Sequence, residues 1–123
     1  MITESLLGLW IFSSLIYQGQ EVPRPNPALQ IEYEFSSDGT NSLRYHRDGE
    51  PGFCERRALY QFSEETLMQE VVWINPSNAD WCTQDSDMQL GRKTRSHIWF
   101  KNGRLFLDIE MGDEIISYIW ERK

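Results

Sequence analysis

The chain has 123 residues, enough for one domain with a buried core, and its 40% hydrophobic and 13% aromatic content excludes a disordered polypeptide. Twelve Lys and Arg against nineteen Asp and Glu leave a formal charge of -7, which repels phosphate backbones and anionic lipid surfaces and argues against nucleic acid as a partner. No apolar run approaches the roughly 18 residues of a membrane helix, so a soluble single domain over residues 1–123, without membrane insertion, is expected.

The first apolar stretch, LLGLWIFSSLIY at residues 6–17, has the length of a signal-peptide core. A secretory signal wants a basic segment before the core and a small-residue cleavage site after it. Here Met-Ile-Thr-Glu precedes the run and Gln18-Gly19-Gln20 follows it, which leaves a cytoplasmic protein or a mature extracytoplasmic form. Gly8, the Ser13-Ser14 pair and the β-branched or aromatic Ile11, Phe12, Ile16 and Tyr17 favour a strand over a helix.

Short β-rich runs separated by turn chemistry then fill the chain. Residues 29–35, Leu-Gln-Ile-Glu-Tyr-Glu-Phe, alternate apolar and polar without a break, as a strand with one wet face does. Ser37-Asp38-Gly39-Thr40 turns into a third strand at about residues 41–47, and Asp48-Gly49-Glu50-Pro51-Gly52 turns into a fourth at 53–62. Ser63-Glu64-Glu65 leads to a fifth at 66–74, and a long polar loop, residues 75–91, precedes a sixth at 92–100. Lys101-Asn102-Gly103 is a hairpin signal into a seventh strand at 104–111, and Gly112-Asp113 into an eighth at 114–122.

Eight strands running up and down send alternate loops to opposite ends. The tight turns at Asp38-Gly39, Glu64-Glu65 and Asn102-Gly103 share one end, whereas the loops at residues 18–28, 47–52 and 75–91 share the other and hold all five prolines. An all-β, eight-stranded antiparallel up-and-down meander barrel, closed at one end and open at the other, explains this asymmetry.

Gly8-Leu9-Trp10 on the first strand resembles the Gly-x-Trp signature of lipocalins and their calycin relatives. That resemblance implies that Trp10 lies across the closed end with an arginine from the last strand over it, a role that falls to Arg122. It also implies that residues 18–28 partly lid the mouth. The chain is shorter than a secreted lipocalin, lacks a Thr-Asp-Tyr-like motif, and is similar in length to small bacterial lipocalin-like domains and avidin-like barrels.

Catalytic motifs are missing from the sequence: no Gly-x-Ser-x-Gly, phosphate-cradling glycine loop or His-Glu-x-x-His, and two histidines, His46 and His97, on separate strands. Nothing in the sequence argues for an enzyme, a cofactor or a metal. Asp80, Asp85 and Asp87 lack the glycine and terminal glutamate of an EF-hand loop and read as a solvated acidic loop. Cys54 at the start of the fourth strand and Cys82 in the 75–91 loop both belong to the mouth end, so they form either a disulfide across the opening or two reduced thiols.

Alternation points Trp10, Phe12, Ser14 and Ile16 inward, with Leu29, Ile31, Tyr33, Phe35, Leu43, Tyr45 and, on the seventh strand, Leu105, Leu107, Ile109 and Met111. On the fourth strand the same logic selects Cys54, Arg56, Ala58, Tyr60 and Phe62, which puts a guanidinium among aromatics. A buried guanidinium needs a partner: either an internal carboxylate such as Glu70 or a ligand. The first reading is therefore a non-enzymatic binding module in which Ile31, Tyr33, Tyr45, Arg56, Trp73, Trp81 and Tyr118 surround a small, largely apolar or amphipathic, possibly anionic ligand. The rival is an interaction or inhibitor barrel with a filled interior, working through the loops at residues 18–28 and 75–91 with Trp81 as anchor.

Overall fold

The computed structural model describes residues 5–123. Its strands are β1 (Gly8–Tyr17), β2 (Gln20–Pro23), β3 (Leu29–Phe35), β4 (Thr40–Arg47), β5 (Cys54–Ser63), β6 (Thr66–Ile74), β7 (Lys93–Lys101), β8 (Arg104–Met111) and β9 (Glu114–Arg122), with two 3₁₀ turns, Asp80–Gln84 and Ser86–Met88, in the long loop. Consecutive strands pair antiparallel from β3 to β9, and β1 pairs with both β3 and β9, so eight strands close into a meander barrel.

The ninth strand lies where the sequence predicts loop. Gln18 (φ 52°) and Gly19 (φ 79°) both adopt left-handed backbone, the geometry of a two-residue hairpin whose twist matches its strands. β2 therefore folds back on the second half of β1, from Ser14 to Tyr17, while the first half, Gly8 to Ile11, pairs with β3. The lid expected at residues 18–28 is thus partly a hairpin. Glu21 fastens it: its carboxylate accepts from Ser14 (2.9 Å) and forms a salt bridge with Arg104 of β8 (2.9 Å).

Two bulges change which side chains face inward. On β1, Phe12 faces Trp120 and the next rung joins Ser14 to Ile119, leaving Ser13 extra. One extra residue reverses the parity of everything beyond it. Leu15 therefore replaces the expected Ser14 and Ile16 on the cavity wall. On β6, Val71 pairs with Ala58 and Trp73 with Arg57, so Val72 is extra and Ile74 comes opposite Arg56.

The closed end holds the packed core. Trp10, Phe35, Leu67, Ile98 and Leu105 are buried there, with Phe100 6.2 Å from the Trp10 ring and Phe62 6.2 Å from Phe100. Trp10 donates from Nε1 to the Leu6 carbonyl (2.9 Å), and the Arg122 guanidinium lies 4.2 Å from its ring centroid while donating to the Leu7 carbonyl (2.7 Å). Gly8 has φ +117°, and a Cβ there would sit 2.9 Å from Arg122 Nη1. Glycine is needed for the backbone angle and for the arginine's approach.

Candidate functional site

Above that core the barrel is open. A cavity of about 830 Å³ occupies the mouth half, within the 300–1,000 Å³ range typical of small-molecule sites. Its walls mix apolar and polar groups: Leu15, Ile31, Leu43, Tyr45, Leu107 and Tyr118 supply an apolar surface, and Arg56, Gln69, Asp85, Asp87 and residues 92–97 supply polar ones. Tyr118 stacks on Phe12 at 5.1 Å, and Trp120 stands edge-on to Tyr33 at 5.4 Å, which braces the lower wall.

Arg56 sits in this cavity with 4% of its surface exposed. Nη1 donates to Asn41 Oδ1 (2.6 Å), and Nη2 to the Tyr33 hydroxyl (3.2 Å) and Gln69 Oε1 (3.5 Å). The three acceptors also bind one another: Tyr33 and Asn41 both donate to Gln69 Oε1, at 2.6 and 2.7 Å. Every partner is neutral. Glu70, the internal carboxylate predicted from the sequence, instead pairs across to Leu59 and Lys93 on the outward side of β6, because inward positions there alternate through Leu67, Gln69 and Val71. Among the described residues no carboxylate forms an ion pair with Arg56.

Two buried donors among the described residues lack a hydrogen-bond partner, Arg56 Nε and Trp120 Nε1, and both belong to residues that line the cavity. An unsatisfied buried donor costs about 1–3 kcal/mol, and both atoms are closed off from the cavity space by their neighbours. Burial raises the Tyr33 hydroxyl above its ordinary pKa while the Arg56 charge pulls it back, so it remains a neutral hydroxyl beside the cation.

The mouth is crossed by the long loop. Cys54 and Cys82 form a disulfide with Cα atoms 5.7 Å apart. Asn78 clamps the same loop to β5, accepting from Glu55 N (2.8 Å) and donating to Glu55 O (3.1 Å). The loop sets Asp85 and Asp87 at the cavity's upper edge. Asp85 accepts from the Tyr45 hydroxyl and from Asp87 N (2.9 Å), so it is an anchor of the loop. Partial burial, then the Asp85 charge, pushes the Asp87 carboxyl above the ordinary range, against the pull of Arg56 and Arg92.

Five of the seven residues named as ligand contacts, Ile31, Tyr33, Tyr45, Arg56 and Tyr118, share this cavity. Trp73 does not: the Val72 bulge turns it outward, where the Arg57 guanidinium lies 4.9 Å from its ring centroid. Trp81 also lies outside the lining, 39% exposed on the rim between Tyr45 and Arg47. Asn41 and Gln69 were not anticipated. Their signal was parity: Asn41 shares a face with Leu43 and Tyr45, and Gln69 with Leu67.

No protein-family model matches the sequence, and no curated protein matches it. Solved structures do. A lipocalin-like protein from Bacteroides uniformis superposes with a TM-score of 0.62 at 17% identity, covering 96% of this chain and 98% of that one. An uncharacterized protein from Bacteroides eggerthii gives 0.60 at 11% identity, covering 97% and 100%. At these identities the likeness is one of fold, and the fold is the closed, lipocalin-like antiparallel barrel.

Proposed function

We propose that this barrel is a non-enzymatic carrier or receptor for a small amphipathic molecule with an anionic or carbonyl-bearing head. The observation that carries this reading is Arg56: a buried guanidinium lining an open cavity, held by neutral groups with no carboxylate paired to it among the described residues. The head is drawn to the Arg56 charge, and the tail lies along Ile31, Leu107 and Tyr118. Apolar walls with a few convergent polar anchors are the usual construction of such sites.

The open cavity in the mouth half favours this reading over the filled-interior rival. The Cys54–Cys82 bridge supports a location in an oxidising compartment.

Native mass spectrometry of the protein as purified, followed by titration of the five tryptophans with a panel of fatty acids and aromatic acids, tests the reading. A retained mass or saturable quenching that disappears in Arg56→Ala supports it. A panel without any saturable response contradicts it.

A further inference from the structure

The ladder between β7 and β8 stops short. β7 begins at Lys93 and β8 ends at Met111, yet their pairing ends at the His97–Asp108 rung. Beyond that rung, residues 93–96 pair only with β6, and residues 109–111 only with β9. The cavity reaches into this split. Ile98 and Phe100 face inward, so period two turns Thr94 and Ser96 inward and Lys93 and Arg95 outward, and all four of the latter residues bound the same cavity. A cavity bounded by both faces of one strand passes through the wall.

The two lips differ in chemistry. Arg92, Lys93 and Arg95 bring three cations within four positions of a chain whose formal charge is -7, Arg92 meeting Asp87 at 4.0 Å and Lys93 and Arg95 standing exposed. Across from them Ile109, Met111 and Ile115 are 36%, 54% and 61% exposed, beside Glu110, which also bounds the cavity opposite Arg95. The mouth, by contrast, is crossed by the disulfide-held loop that carries Asp85 and Asp87. Lys93 and Arg95 give an anion a more favourable approach at the split than the loop carboxylates give it at the mouth.

We propose that the split between β7 and β8 is the passage by which an amphipathic anion reaches and leaves the cavity. This rests on the cavity-binding reading and adds the route: the basic lip collects the head and passes it to Arg56, while the tail slides along Ile109 and Ile115. His97 and Asp108, joined at 2.8 Å, form the rung that fixes the lower end of the opening.

Arg95→Cys with Glu110→Cys places thiols where a continued ladder would set them opposite, and the native cysteines are already joined. With cis-parinaric acid as probe in stopped-flow fluorescence, the unbridged double variant sets the reference rates. A short bis-maleimide bridge slows both association and release by about tenfold or more while the affinity stays within about threefold. Bridged protein that exchanges at the unbridged rates overturns the passage and returns the route to the mouth. Absence of saturable binding to unmodified protein overturns the cavity reading itself, and the passage with it. Lys93→Glu with Arg95→Glu gives a second arm free of any bridge: association of the acid slows at low salt and recovers at high salt, and a rate equal to that of unmodified protein contradicts the route.

Discussion

Arg56 is where structural and functional demands separate. Replacing it by methionine leaves the Tyr33–Gln69 and Asn41–Gln69 hydrogen bonds in place and strands only Asn41 Oδ1. A buried charge exchanged for an apolar side chain of similar volume is often neutral or stabilising. Arg56→Met is therefore expected to change urea-unfolding stability by less than about 2 kcal/mol, and a loss beyond about 3 kcal/mol would make Arg56 a structural keystone. Gly8 makes the opposite case. Alanine there meets both the φ of +117° and the Arg122 guanidinium, so Gly8→Ala is expected to cost about 1–3 kcal/mol, read by the same unfolding curve, with ligand affinity unchanged because the site lies at the other end.

Among the elements, the β5–β6 turn carries strain that a substitution can release. Glu64 (φ 51°) and Glu65 (φ 62°) both hold left-handed backbone, positions that hairpins normally give to Asn and Gly. Glu64→Asn is expected to raise stability by up to about 1 kcal/mol in thermal melts, and a lower melting temperature contradicts that account. Glu65 has a second task, reaching His97 Nε2 (3.3 Å) while Asp108 holds Nδ1 (2.8 Å). Asp108 first, then Glu65, lifts the imidazole above its ordinary 6.5. Because the folded-state pKa exceeds the unfolded one, the stabilisation is complete below 6.5 and disappears as pH rises through the folded value. NMR titration should show a raised His97 pKa that falls in Asp108→Asn. An unshifted value in the unmodified protein contradicts the geometry.

The strands themselves were legible because each carries period-two alternation between turn signals, and β3, β6, β8 and β9 fall on their predicted residues. The bulges at Ser13 and Val72 were not: one added residue leaves composition and propensity untouched yet reverses parity, which is why Trp73 was placed inside and Leu15 was not. The Gln18-Gly19 turn was hidden for a related reason, since Gln carries no hairpin preference. Register, too, is silent in a single strand, so residues 93–96 read the same whether or not β8 accompanies them.

At the scale of the whole molecule, one end stores stability and the other is left for binding. Aromatic packing and the Trp10–Arg122 contact close the base, and the mouth, poor in packed core, is held by the disulfide across 28 residues. Chain-entropy arguments put such a bridge at about 3.6 kcal/mol, so Cys54→Ser with Cys82→Ser is expected to lose about 2–4 kcal/mol in urea unfolding, and an unchanged midpoint contradicts that role. Cavity volume was not readable from the sequence. It depends on how far the side chains of the closed half reach, and the aromatics at Trp10, Phe35, Phe62 and Phe100 stop below Arg56.

The central claim is that this cavity recognises a charged head through Arg56, and it is tested most directly by calorimetric titration of dodecanoate and dodecanol into unmodified protein and Arg56→Met. The account predicts that the acid binds the unmodified protein at least about tenfold tighter than the alcohol, as a charge-assisted hydrogen bond of about 1.5–3 kcal/mol would give, and that the preference vanishes in the variant while alcohol affinity persists. Equal affinity for acid and alcohol in the unmodified protein, or a preference that survives Arg56→Met, would contradict it.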